Sequence, residues 1–204
     1  MRPALKLVLL GAGGSRRMRG GDKLLESVDG LPLIRRQALA MLEAAAGPIA
    51  VTLPPDHPLR EAALQGLPVE RLTIDGADEG MSASLRDAAR WAAGSALLIA
   101  PADMPELSTA DFAAVARAFD GATPLRATAE DGTPGHPVVF PAAALADFAR
   151  LRGDEGARSI LKIHPPVLFA LPENHAVTDL DTPEAWEAWR ARTGGPAPRT
   201  PRHI

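Results

Sequence analysis

The sequence predicts an α/β fold in which a mainly parallel sheet is covered on both faces by helices. Two observations carry that expectation. Short apolar runs alternate along the chain with longer, alanine-rich amphipathic runs, and strands buried on both faces of a parallel sheet read as nearly continuous apolar segments. The first apolar run also opens directly into glycines and cations, LGAGGSRRMRGGDKLL from Leu10 to Leu25. In open parallel sheets, ligands gather where strands end.

The elements follow in order. Leu5–Leu10 reads as a buried first strand with one lysine, Lys6, inside it. Pro32 stands where a helix can start, and Leu33–Ala46 reads as a helix stopped by Gly47-Pro48. Ile49–Leu53 is a second strand, followed by a Pro-rich turn, and Val69–Ile74 is a third. Ser82–Ala92 reads as a helix with Ser82 as its candidate N-cap. Ala96–Ala100 is a strongly apolar fourth strand, and Thr109–Phe119 another helix. Two extended pieces, Leu125–Thr128 and Pro137–Phe140, precede helices near Ala142–Leu151 and Gly156–Ile163. Strands near Val167–Leu171 and Ala176–Thr178 and a last helix from about Pro183 to Arg192 complete the pattern. One domain over residues 1–192 is expected, and the Pro- and Arg-rich tail over residues 193–204 is expected to be disordered.

Composition narrows the function classes. Hydrophobic residues make up 46% of 204, enough for a sizeable core. A net charge of -3 and a pI near 6.0 argue against a general nucleic-acid binder. There is no cysteine, so any metal must be held by oxygen or imidazole. The apolar run after Arg2 is broken by Lys6 and is too short for a signal peptide, and no segment reaches transmembrane length. A soluble cytoplasmic protein is expected.

The glycine loop carries the sharpest chemistry. Gly11, Gly13 and Gly14 allow a tight turn and close approach to a ligand. Successive backbone N–H groups in such a turn form a concave anion site, to which Arg16, Arg17, Arg19 and Lys23 add local positive charge. Two common phosphate motifs do not fit. A Walker A loop needs Gly-Lys before Ser or Thr, whereas Lys23 lies between Asp22 and Leu24. The dinucleotide fingerprint needs a third glycine where Arg16 stands.

Other strand exits add candidates. Asp103 in Pro101-Ala102-Asp103-Met104-Pro105 follows the fourth strand and is rigidly presented to hold Mg²⁺ against phosphates; the alternative is a turn cap. Gly80–Arg86, GMSASLR, offers a helix N-terminus with the hydroxyls of Ser82 and Ser84, which an ordinary cap explains equally well. His136 lies between Gly135 and Pro137, as a structural or a ligand-facing histidine. Arg158 can fork onto a phosphate or form a surface ion pair. Asp181 can join Asp103 on a metal, or it or Thr182 can cap the last helix, with Pro183 at its first position.

Together these segments resemble the MobA-like nucleotidyltransferases, and within them the molybdenum cofactor cytidylyltransferases. The resemblance rests on the Leu10–Leu25 loop followed in order by GMSASLR, PADMP at Pro101–Pro105, GHPVVF at Gly135–Phe140, GDEGARSIL at Gly153–Leu161 and DLDTPEAW at Asp179–Trp186. It implies a Rossmann-like three-layer α/β/α nucleotidyltransferase fold and the transfer of CMP from CTP to the terminal phosphate of molybdopterin cofactor, releasing pyrophosphate. It implies Mg²⁺, with Mn²⁺ an alternative, and CTP and molybdopterin cofactor as substrates, with a recipient molybdoenzyme as a partner, but neither nucleic acid nor membrane. By the same resemblance, Leu10, Gly11 and Ala12 contact the base through their backbone. Arg17 and Lys23 hold the triphosphate, Asp103 ligates the metal and Ser82 lies near the nucleotide. Gly13, Gly14, Ser15, His136 and Arg158 complete the expected binding set, and Asp181 is a second candidate metal ligand. Alanine at position 12 matches cytidylyl-transferring relatives, where guanylyl-transferring ones carry glycine. Gly11 and Arg19 depart from the usual alanine and glycine. Rival readings are GTP in place of CTP, another phosphorylated acceptor such as a sugar phosphate or phospholactate, a non-catalytic cofactor carrier, and a nicotinamide-dependent oxidoreductase.

Overall fold

The computed structural model describes residues 4–194. Among these residues, six α-helices and nine strands follow one another largely as the apolar patterning requires. The strands are β1 (Leu5–Leu10), β2 (Ser27–Val28), β3 (Leu31–Pro32), β4 (Ile49–Leu53), β5 (Glu70–Thr73), β6 (Ala96–Pro101), β7 (Leu125–Thr128), β8 (Pro134–Phe140) and β9 (Val167–Ala170). The helices are α1 (Leu33–Glu43), α2 (Pro58–Ala63), α3 (Met81–Ala92), α4 (Thr109–Ala118), α5 (Arg158–Ile163) and α6 (Pro183–Thr193). Seven strands form one sheet in the order β5-β4-β1-β6-β8-β7-β9, with β2 and β3 a separate hairpin. Within the large sheet β8 alone is antiparallel to its neighbours. The fold is the mainly parallel, Rossmann-like α/β arrangement expected.

The period-two alternation of strands divides the core into two layers. Leu7, Leu9, Val51, Leu98, Ala100 and Val139 face Ile34, Ala38 and Met41 of α1 and Phe112 and Val115 of α4. Val8, Ala50, Leu97, Ile99, Val138 and Phe140 face Leu85, Ala88 and Ala92 of α3, Phe148 and α5. Register follows from this pattern, with Leu7 opposite Ile49 and Leu98, and Leu9 opposite Val51 and Ala100. Lys6 is tolerated in β1 because its ammonium donates to the Trp91 carbonyl at 2.7 Å and lies over the Trp91 ring.

Several local expectations are corrected. α3 begins at Met81, with Gly80 and not Ser82 at its N-cap. Gly80 has φ +108°, and a Cβ there would lie 2.7 Å from the Gly153 carbonyl oxygen, so only glycine makes this entry. Ala176–Thr178 is a turn, not a strand. Glu173 adopts a left-handed φ of 45°, and the N–H groups of His175, Val177 and Thr178 close onto the carbonyls of Pro172 and Asn174, leaving fewer for a ladder. The Pro-rich turn after β4 contains α2, with Pro58 at its first position. α1 stops at Glu43, before Ala45 turns left-handed. The run Ala142–Arg150 winds as 3₁₀ turns. α6 is capped by Thr182, whose hydroxyl accepts from the Ala185 N–H at 3.2 Å. Thr193 belongs to α6; the rest of the expected disordered tail, from residue 195, lies outside the described residues. Among the described residues, no helix is long and apolar enough to cross a membrane.

Candidate active site

β1 lies between β4 and β6 in the interior of the sheet, so its exit opens between two other strand ends. There Gly11 crosses close over β4. Its N–H donates to the Thr52 carbonyl at 3.1 Å and the Thr52 hydroxyl at 3.0 Å. A Cβ on Gly11 would lie 2.9 Å from that carbonyl oxygen. Gly13 has nothing within 4 Å of a Cβ, so its surroundings are open. The two glycines therefore differ: one permits a tight crossing, the other leaves the loop surface clear.

The loop continues through a short turn at Arg16–Met18 to a second at Lys23–Leu25. Asp22 caps the second turn, accepting from the Leu24 N–H at 3.0 Å. That cap directs Lys23 inward. Its ammonium binds Asp103 and, at 2.6 Å, Asp181. The three side chains are between 13% and 18% exposed. Burial alone would lower the Lys23 pKa, but the two carboxylates outweigh it and leave it raised. Burial likewise pushes Asp181 up, and Lys23 and Arg17 more than reverse this. Asp179, beside them, is raised by burial and by the charges of Asp103 and Asp181. The Leu180 N–H donates to the Asp103 carbonyl at 3.2 Å, which joins the exit of β6 to the segment before α6.

A cavity of about 650 Å³ lies over this cluster. Leu10, Ala12, Gly13, Gly14, Ser15, Arg17, Lys23, Asp103 and Asp181 all line it. Four expected residues do not: Gly11 and Ser82, and His136 and Arg158, which line a neighbouring cavity. Gly11 has its N–H on Thr52 and its carbonyl on Arg60. Ser82 is fully buried, its N–H on the Gly153 carbonyl and its hydroxyl accepting from Arg86. Ser84, one helical position pair further on, lines the cavity instead.

His136 and Arg158 line a second cavity of about 520 Å³ that adjoins the first along Leu10, Met81 and Asp154. Its walls combine apolar Leu85, Ile99, Val138 and Leu161 with Arg126, Arg158 and Lys162. Burial and the nearby Arg126 push the His136 imidazole down to about 4, so it is neutral at pH 7. Its Nδ1 is buried without a partner. Arg126 is not among the residues the sequence points to, although a charge inside the short buried strand β7 is a usable signal. Arg60 is not among them for lack of any signal, since an arginine in a short helix is ordinarily a surface residue.

Two features bear on a divalent cation. Asp103 Oδ1 is buried without a hydrogen-bond partner, and Asp103 and Asp181 already share one cation, the Lys23 ammonium. Among the described residues, no group of three or more His, Cys, Asp or Glu forms a closed metal cage. One or two carboxylates with substrate phosphates suit Mg²⁺, so the residues present fit such an ion.

The sequence matches the family model of the MobA-like NTP transferase domain over residues 7–169. The chain belongs to this family and is a nucleotidyltransferase. Among curated proteins, none matches it. Among solved structures, it is similar to Rv0371c from Mycobacterium tuberculosis H37Rv, with TM-score 0.81 and 21% identity over 93% of this chain and 98% of that one. A complex of that protein with manganese has TM-score 0.75 and 18% identity over 92% and 98% of the two chains. A CMP:2-keto-3-deoxy-manno-octonic acid synthetase complexed with CTP has TM-score 0.72 and 14% identity over 94% and 98%.

Proposed function

We propose that this MobA-like nucleotidyltransferase transfers CMP from CTP to the terminal phosphate of molybdopterin cofactor and releases pyrophosphate. The observation that carries the reading is the adjacency of two cavities. One holds the glycine loop, Lys23 and Asp103, and the other joins apolar walls to Arg126, Arg158 and Lys162. A nucleoside triphosphate suits the first, and a phosphorylated acceptor with a flat or apolar body suits the second.

The chemistry follows from charge. An oxygen of the acceptor phosphate attacks the α-phosphorus in line, and the bond from that phosphorus to the β-phosphate oxygen breaks. The attacking oxygen is already anionic, so no strong general base is needed. Repulsion between two polyanions is the main obstacle, and positioning with electrostatic stabilisation overcomes it. Lys23 and Arg17 supply fixed positive charge. Asp103 and Asp181 would hold Mg²⁺ or Mn²⁺, which when bound neutralises charge on the phosphates. The related manganese complex is in keeping with such an ion. The CTP assignment is supported by Ala12 in the loop, by the resemblance of that alanine to cytidylyl-transferring relatives, and by a same-fold synthetase complexed with CTP.

A second reading keeps the reaction and changes the acceptor, because the second cavity recognises phosphate and apolar surface without a group peculiar to a pterin. Pyrophosphate release from each of the four nucleoside triphosphates, with molybdopterin or a sugar phosphate present, tests both. The proposal expects release from CTP that requires molybdopterin and a divalent cation. Equal release from GTP, or release that a sugar phosphate supports and molybdopterin does not, would replace it. Pterin binding with no release from any nucleotide would make the chain a carrier.

A further inference from the structure

The glycine loop rests on a buried arginine from another element. Arg60, in α2, is 1% exposed. Its Nε and Nη2 fork onto the two carboxylate oxygens of Asp22, at 2.7 and 2.8 Å. Its Nη1 donates to the carbonyls of Gly11, at 2.7 Å, and Gly13, at 2.8 Å, and Nη2 also reaches the Ser15 hydroxyl at 3.2 Å. A guanidinium has five N–H donors, and these contacts use all of them.

The two carbonyls matter most. In a planar trans peptide, the C=O and the following N–H point in opposite directions. The Gly11 carbonyl shares its peptide with the Ala12 N–H, and the Gly13 carbonyl shares its peptide with the Gly14 N–H. Drawing both oxygens down onto Arg60 turns both amides away from it, to the side on which Ala12 and Gly14 line the cavity. Among the described residues, neither amide donates to a protein acceptor. Two unpartnered amides on one cavity wall offer an anion two backbone donors.

The same arginine sets the other end of the loop. Asp22 accepts from Arg60, from the Ser15 hydroxyl at 3.0 Å and from the Leu24 N–H. It immediately precedes Lys23. Arg60 with Asp22 therefore fixes the amides and the ammonium relative to one another. Its own charge is matched by Asp22, and its donors are all occupied, so it is not itself a phosphate ligand.

We infer that Arg60 is a positioning residue that aims the Ala12 and Gly14 amides at the polyphosphate of the nucleotide, which moves the Ala12 N–H from the base, where the resemblance puts it, to the phosphates. This deepens, and rests on, the reading of the first cavity as a nucleoside triphosphate site. Lysine at this position keeps a positive charge but has three donors on one nitrogen, and it cannot span the Asp22 fork and both carbonyls.

The test uses inorganic triphosphate and phosphate-free cytidine as probes, with the full chain, its backbone amides followed by NMR. In the wild type, triphosphate is expected to shift the Ala12 and Gly14 amide signals. Arg60→Lys is expected to bind triphosphate at least ~10-fold more weakly, about the loss of one oriented hydrogen bond to a charged group. Its affinity for cytidine should change less than about twofold, within the scatter of a neutral substitution. Equal losses for both probes, or unchanged triphosphate affinity in a folded variant, would overturn the inference. Unmoved Ala12 and Gly14 signals in the wild type would do so even if the variant fails to fold. Amide shifts without pyrophosphate release from any nucleotide would keep the inference and remove the proposed reaction. Release with unmoved amides would do the reverse.

Discussion

At the scale of single residues, the site is organised by cations that find carboxylates inside the protein. Lys23 lies between Asp103 and Asp181 with all three largely enclosed, so its charge is fixed in place before a substrate arrives. Lys23→Ala or Asp103→Ala is therefore expected to lower turnover at least ~100-fold, the scale of losing one oriented stabilising group. A pyrophosphate-release assay on variants with wild-type melting temperature checks this, and near-normal rates would remove that residue from the mechanism. His136 makes a different prediction. Its folded pKa is depressed to about 4 by burial and Arg126, against an unfolded value of about 6.5. Its contribution to stability is complete above pH 6.5 and is lost as pH falls from there towards 4, on the order of 3 kcal/mol. Urea unfolding between pH 7 and 4 should show that extra loss in the wild type and not in His136→Gln; parallel curves would mean that the imidazole is not held neutral. Ser82 shows why residue identity can mislead. A serine near a strand exit looked available, yet the glycine cap at position 80 starts the helix early and turns Ser82 into the core, leaving Ser84 to face the cavity.

At the scale of elements, turns that need glycine decide where the site's side chains point. Gly135 precedes His136 in β8, and a Cβ there would lie 1.8 Å from the Ala176 carbonyl oxygen. That carbonyl accepts the His136 N–H at 2.8 Å. Gly135→Ala must push the Ala176 turn and β8 apart, and a loss of about 3 kcal/mol is expected, at the upper end of overpacking costs. Denaturant titration measures it; a loss below about 1 kcal/mol, a typical surface effect, would show that the turn yields freely. The main helices and strands were legible because their apolar periods are long and regular. α2 and the β2–β3 hairpin were not, since elements this short have little periodicity to read. The turn at Ala176–Thr178 reads as strand in the sequence because its apolar residues pack into the core beside β8.

At the scale of the whole molecule, strand ends from β1 and β6 and the segment before α6 meet at one cavity, with the acceptor-like cavity beside it. A ligand that binds there stabilises the fold as a whole. CTP with Mg²⁺ at 100 times its dissociation constant should add about 2.7 kcal/mol, and for a chain of this size about 5–10 °C in melting temperature. Thermal scans with each nucleotide measure this, and the absence of a shift with all four would remove the cavity as a nucleotide site. The sequence by itself determined the α/β class, the family and the glycine-cation side of the cavity, because apolar period and the glycine-cation loop are local properties of neighbouring residues. Only the tertiary structure decided that Lys23 joins Asp103 to Asp181, that Gly11 is spent on β4, and that Arg60 carries the loop from below. Those contacts link residues far apart in the chain. Their partners are chosen by how strands stack and helices pack, and no local spacing records that choice.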